Sequence, residues 1–207
     1  MRGLLLKDLY MAWKYCKLYL LMVVGFLMIA AGGHSNSFFL IYPSIMSGLI
    51  PMSLLAYDEQ HKWDQYSLTL PYTRVQLVSV KFLVGLALCF VVVISSALVL
   101  AIRMLTANEF SWNIWIVWVG SVLCSCLLGP SLCLPFMFKL GAEKGRIFYS
   151  ISLGLLCAIC VLLTLNLPTG TGITDLAAVI PLACLVSIAI FALSWWLSIR
   201  FYEKREF

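Results

Sequence analysis

Residues 82–102 read FLVGLALCFVVVISSALVLAI, an apolar run without a single charged side chain. Lys81 precedes this run and Arg103 follows it. A helix needs about 20 apolar residues to cross the hydrocarbon core of a bilayer. The run meets that length, so it predicts a membrane-spanning helix.

Charged residues are also absent from the stretches 18–56, 110–138, 147–174 and 176–199. The first stretch is too long for one helix and contains GGHSNS at 32–37, a polar turn with two glycines. The sequence therefore predicts an all-α integral membrane protein, with a single transmembrane domain over 1–207. Its six spans lie near 18–31, 38–56, 82–103, 112–138, 147–166 and 176–199.

The composition agrees with this fold class. Hydrophobic residues make up 63% of the 207 residues and charged residues only 11%, with a mean hydropathy of +1.01. A soluble globular domain carries about 25% charged residues. An ordinary soluble domain is therefore excluded.

The basic residues predict the orientation, because Lys and Arg collect on the cytoplasmic side of membrane proteins. Of the 14 basic residues, only Arg103 falls on the opposite side of the six predicted spans. Both termini are therefore predicted to be cytoplasmic, in an inner membrane. The net charge of +5 reflects this bias, so no nucleic acid partner is expected.

The sequence shows no set of residues arranged for catalysis. It has no G-x-x-x-x-G-K-[ST] phosphate loop, so we expect the chain not to hydrolyse ATP by itself. His34 and His61 fall on opposite sides of the membrane, and no charge lies deep in a predicted span. Cys157 and Cys160 form a C-x-x-C inside an apolar run, where buried cysteines are the better interpretation. No enzyme activity, metal site or cofactor is expected in this chain.

Residues 1–17 have the pattern of an amphipathic helix. One face is apolar, and Lys7 and Lys14 lie opposite it. The apolar face comprises Leu5, Leu9, Ala12, Trp13 and Cys16. This periodicity predicts an interfacial helix in the membrane plane before span one. The alternative is a cytoplasmic extension of that span.

The inner loop between spans two and three concentrates charge and aromatic side chains. Asp58 and Lys62 are four residues apart with the acid first, which favours a helix. Trp63, Tyr66 and Leu70 share one face of that helix. Such a helix can dock into the groove of a cytoplasmic partner. Alternatively, the loop is a solvated connector whose aromatic residues anchor at the lipid headgroups.

A second helix is predicted to begin within the same loop. Pro71 ends the first helix, because the residue before a proline disfavours helical backbone angles. Thr73 and Gln76 then match a T-x-x-Q capping box. The sequence therefore predicts a helix that starts here and runs into span three.

Small residues recur every four positions in spans four and five. This spacing lets two helix backbones approach closely. The contact could be a subunit interface or a packing contact within the chain. The residues are Ser121, Ser125 and Gly129 in span four and Ser150, Gly154 and Ala158 in span five.

Several of these segments together resemble one family. They are MRGLLLKD at 1–8, YDE at 57–59, KWDQY at 62–66 and LTLP at 68–71, followed by Arg74 and Lys81. With the span count and topology, they resemble the small six-span permease subunits of ATP-binding-cassette exporters of the ABC-2 type. The resemblance covers the full length of the chain.

The resemblance implies a partner ATPase subunit that binds ATP and Mg, and a second permease subunit, identical or different. The inner loop at 57–74 would be the coupling segment that contacts the ATPase. Its contact residues would be Asp58, Glu59, Lys62, Trp63, Asp64, Tyr66, Leu68, Leu70 and Arg74. The last external loop, 167–175, is short, so the extracellular gate helices of larger relatives would be reduced.

Because the spans offer no charged site for an ion, an amphipathic or hydrophobic cargo is expected, and a peptide is one such cargo. The main alternative is a membrane scaffold that recruits a cytoplasmic partner through the same inner loop. An intramembrane enzyme is disfavoured, because the sequence shows no set of residues arranged for catalysis. A stand-alone ion-coupled carrier is disfavoured, because the sequence has no internal repeat of the kind that such folds show.

Overall fold

The computed structural model describes residues 2–32, 38–61, 63, 66, 73–107, 111–141, 144, 145, 147–152, 154 and 173–203. Every secondary-structure element within these residues is a helix. The helices are α1 (Arg2–Tyr15), α2 (Lys17–Ala31), α3 (Phe38–Gln60), α4 (Arg74–Thr106), α5 (Trp112–Leu140) and α6 (Ile173–Glu203). Residues 147–152 are also helical.

Four of these helices, α3 to α6, are long and apolar enough to cross a membrane. The helices α1 and α2 meet at an angle of 70° and add a fifth span if they are counted together as one broken span. Alone, α2 has 15 residues, or about 22 Å at 1.5 Å per residue. Most of the predicted fifth span, 147–166, lies outside the described residues. The described chain therefore has four or five candidate spans where six were predicted.

The beginning of α4 follows the local sequence. The Thr73 hydroxyl accepts a hydrogen bond from the Gln76 backbone N–H, and the Gln76 side chain accepts one from the Thr73 backbone N–H. Two backbone donors that a helix start would leave without partners are thus satisfied. The predicted capping box is confirmed, and α4 runs without a break from it into the apolar stretch.

The helices α3 and α5 approach closely where both carry small residues. A β-carbon added at Gly48 would lie 3.0 Å from the α-carbon of Gly129. One turn away, the hydroxyl oxygens of Ser44 and Ser125 are 2.8 Å apart. These residues let the two backbones touch, as small-xxx-small patterns do in membranes.

Aromatic side chains join α4 to α6. The ring of Phe82 is stacked on Trp195 at 5.6 Å and meets Phe191 edge-on at 5.5 Å between centroids. The indole N–H of Trp195 donates to the Ser79 hydroxyl at 3.2 Å. Buried aromatic pairs of this kind contribute about 0.5–1.5 kcal/mol beyond the area they bury. This cluster fixes the beginning of α4 against the second half of α6.

Candidate functional site

Asp58 lies near the end of α3 and is buried, with 3% of its surface exposed. Its Oδ1 accepts a hydrogen bond from the ammonium group of Lys7 at 2.7 Å, and its Oδ2 is paired with Lys81. Both carboxylate oxygens therefore face basic groups inside the protein. Asp58 does not lie on the surface that the sequence assigned to the partner contact.

Lys81 lies two turns into α4 and is also buried. Besides Asp58, its ammonium group contacts Oδ2 of Asp8 at 2.9 Å. Asp8 belongs to α1, and Lys7 beside it lies 3.6 Å from its other oxygen. We call these four residues, Lys7, Asp8, Asp58 and Lys81, the buried charge cluster.

The buried charge cluster is electrically balanced, with two acids and two bases. Taking an ion out of water costs several kcal/mol, which close opposite charges offset only when the geometry is good. Three helices supply the members, so each helix is joined to the other two by ion pairs. The sequence alone did not predict this cluster. The sequence feature that could have indicated it is that all four residues fall on the predicted cytoplasmic side of the apolar runs.

A small cavity lies against the buried charge cluster. It has a volume of about 20 Å³ and is lined in part by Lys7, Asp8, Trp63 and Tyr202. Oδ1 of Asp8 accepts no hydrogen bond from the described residues. A polar cavity of this volume has room for about one water molecule. The cavity therefore places the acidic side of the cluster beside a mainly apolar wall.

Lys7 also contacts the inner loop. Its ammonium nitrogen lies 3.8 Å from the centroid of the Trp63 ring, within the range of a cation–π interaction. The Trp63 and Tyr66 rings are 5.4 Å apart, and Tyr66 is 57% exposed. Of the predicted aromatic face, Trp63 is thus partly buried against Lys7, and Tyr66 is exposed beside Trp63.

Two further residues of the predicted coupling segment hold helix ends. The Glu59 carboxylate lies against Gly141, where α5 ends with φ of 85°. The Arg74 guanidinium donates to the Tyr202 carbonyl oxygen in α6 at 3.4 Å. The remaining predicted contact residues, Lys62, Asp64, Leu68 and Leu70, lie outside the described residues.

One face of α1 packs on the rest of the protein. The fully buried residues are Leu4, Asp8, Ala12 and Cys16, whereas Leu9 and Trp13 are 46% and 68% exposed. Of the predicted apolar face, Ala12 and Cys16 pack on the protein, and Leu9 and Trp13 are exposed. The position of this face at the membrane interface stays a prediction.

The small residues of span four lie against the same chain. Gly129 meets Gly48, and Ser125 bonds to Ser44, both in α3. The Ser121 hydroxyl donates to a carbonyl of its own helix. In span five, Ser150 and Gly154 are exposed, and no atom lies within 4 Å of a β-carbon added at Gly154. Ala158 is outside the described residues.

An apolar cavity of about 170 Å³ lies midway along α4, α5 and α6. Phe90, Leu127, Ile188 and Phe191 contribute to its wall, and the described residues that line it are aliphatic, aromatic or cysteine. Apolar cavities of this size stay dry and accept small apolar groups.

Comparison with known proteins places these features in a family. No curated protein matches the chain. A family model described as ABC-2 family transporter protein matches residues 3–203, from α1 to the end of α6. That match includes the buried charge cluster, the inner loop and every candidate span, so this multi-pass membrane protein belongs to the ABC-2 family of transporter proteins.

Proposed function

We propose that the chain is the membrane permease subunit of an ATP-binding-cassette exporter. The family match over residues 3–203 carries this proposal. ATP and Mg are bound by a separate ATPase subunit, which attaches to the cytoplasmic side. Binding of ATP closes the ATPase dimer, and the movement drives the permease between inward-open and outward-open states.

The coupling segment of this proposal is the inner loop at 57–74. Support comes from Trp63 and Tyr66, two aromatic side chains at the end of the bundle that carries the buried charge cluster. Exposed aromatic residues are frequent anchors of protein interfaces. In this proposal, Asp58 is buried beneath the contact surface and stabilises the end of α3. Glu59, Tyr66 and Arg74 lie nearer to the partner.

The proposed cargo is amphipathic or hydrophobic, and peptides are the class to test first. The apolar cavity between α4, α5 and α6 supports this class, since it offers no charge to an ion. A cargo with one apolar group of benzene size would fit its volume of about 170 Å³.

The proposed assembly has two permease subunits and two ATPase subunits in the inner membrane, with the cargo path between the permeases. Both termini are cytoplasmic in this proposal. The distribution of basic residues supports that orientation, because only Arg103 falls on the other side of the six predicted spans. The interfacial position of α1 is supported by its 70° angle to α2 and by exposed Trp13.

The first test is purification of the tagged protein from its own membranes in mild detergent. We expect stoichiometric recovery of a protein that carries a phosphate-binding loop, together with MgATP hydrolysis by the complex. Recovery of a monodisperse protein with no ATPase would contradict the exporter and favour the membrane scaffold.

The second test addresses the coupling segment. Trp63→Ala and Tyr66→Ala should each lower ATPase recovery or MgATP hydrolysis by at least fivefold, while the amount of folded permease in the membrane stays constant. Trp112→Ala is the matched control, because Trp112 is a 67% exposed tryptophan at the start of α5. Unchanged hydrolysis and recovery in both loop variants would show that this loop is not the coupling segment.

A further inference from the structure

Lys7, a member of the buried charge cluster, also contacts the inner loop. The ammonium group of Lys7 donates to Asp58 at 2.7 Å and lies 3.8 Å from the centroid of the Trp63 ring. Lys7 itself belongs to α1. A displacement of Trp63 would therefore act on an ammonium group that belongs to α1 and is paired with Asp58 of α3.

The other members of the buried charge cluster extend this link to α4. Asp8 of α1 and Asp58 of α3 share the ammonium group of Lys81. Separating α1 would break the Lys7–Asp58 and Asp8–Lys81 ion pairs, and breaking ion pairs inside a protein is unfavourable. The middle of α1, the end of α3 and the beginning of α4 are therefore linked by ion pairs.

We propose that Lys7 is a positioning residue of the coupling segment, and that the buried charge cluster transmits movement of Trp63 to α1. This inference rests on the proposed function for its role in transport. Lys7 holds the Trp63 ring at the end of the bundle, so that force on the loop reaches α1 and α4 through ion pairs that are costly to break. Without Lys7, the loop loses this link to α1.

The structural half of the proposal is tested by trypsin, which cleaves the Lys62–Trp63 bond. In permease reconstituted with its ATPase, Lys7→Met should raise the rate of this cleavage at least fivefold, and Lys7→Arg should restore the slow rate because it keeps the cation. Lys14→Met is the matched control, since Lys14 lies on α1 but its ammonium group faces Tyr15 at 5.5 Å. Equal cleavage rates in Lys7→Met and the unaltered protein would overturn the proposal.

The transport half is tested by MgATP hydrolysis in the same proteoliposomes. Lys7→Met and Trp63→Leu should each lower it at least fivefold, and the double variant should lose no more than either single variant, because the two residues act through one contact. Trp63→Leu leaves the ion pairs intact, so it remains informative if Lys7→Met fails to fold. Additive losses would overturn the proposal.

The two hypotheses fail in different ways. If the unaltered protein binds no ATPase, the exporter is contradicted, and the cleavage rates alone decide whether Lys7 positions Trp63. If it binds and stimulates its ATPase but Lys7→Met behaves like Lys14→Met, only the role of Lys7 is contradicted. Alkylation of Cys16, which is fully buried beside α1, reports in each variant whether α1 stays docked.

Discussion

The ammonium nitrogen of Lys81 lies 2.9 Å from Oδ2 of Asp8, and this ion pair joins the beginning of α4 to the N-terminal helix. The same ammonium group is paired with Asp58 at the end of α3. Both buried carboxylates share this ammonium group, and Lys81 is the more deeply buried of the two lysines of the cluster. This arrangement makes Lys81 the member of the buried charge cluster whose loss should cost the most.

Lys81→Met keeps the length of the side chain and removes its charge. Loss of one partner from a buried ion pair typically costs about 3–5 kcal/mol, and we expect a loss of that order in the free energy of unfolding. The measurement is unfolding by sodium dodecyl sulfate in mixed micelles. Lys14→Met should change the same quantity by less than about 0.5 kcal/mol. Equal effects of the two substitutions would contradict the role of Lys81.

Gly48→Ala should push α3 and α5 apart, because the new methyl group would lie 3.0 Å from the α-carbon of Gly129. Overpacking at such a contact costs about 1–3 kcal/mol. Gly25→Ala in α2 is the control with the opposite sign: nothing lies within 4 Å of its added β-carbon, and alanine stabilises an open helix position by about 0.4–1 kcal/mol. Thermal unfolding in detergent distinguishes the two. A stabilised Gly48→Ala variant would show that these helices are not in close contact.

Gly141→Ala should destabilise the end of α5. Gly141 has φ of 85° and ψ of 171°, a region open almost only to glycine, and its added β-carbon would lie 2.8 Å from Oε1 of Glu59. The expected cost is about 1–3 kcal/mol. Gly32→Ala offers a comparison at another helix end, since Gly32 follows α2 with φ of −71°. The denaturation midpoint of Gly32→Ala should stay within error of the unaltered protein, and a similar fall in both would count against this backbone strain.

Cys124 and Cys184 should cross-link α5 to α6 under mild oxidation. Their sulfur atoms are 3.5 Å apart, so a short approach brings them to the bond length of about 2.05 Å. Copper phenanthroline treatment of membranes, followed by non-reducing digestion and mass spectrometry, should recover the linked peptides. Cys184→Ser should abolish them. Failure to detect this link while other cysteine pairs oxidise would contradict the packing of α5 on α6.

Local signals in the sequence predicted the four long helices α3 to α6. Runs without charge lie within α3 to α6, because a helix that crosses hydrocarbon must be apolar along its length. The capping box at Thr73 and Gln76 was readable because all its contacts lie within four residues. Asp58 was assigned to the inner loop with Lys62, four residues on, as its helix partner, whereas the structure places it near the end of α3.

What the sequence alone determined is therefore the helical membrane class, the start of α4 and the residues able to form close helix contacts. The tertiary structure alone decided which charges meet. Asp58 pairs with Lys7 and Lys81, and Asp8 turns inward with them, although a helical periodicity assigns acids to the polar face. Periodicity describes one helix at a time, whereas the partner of a buried charge is set by which helix ends the packing brings together.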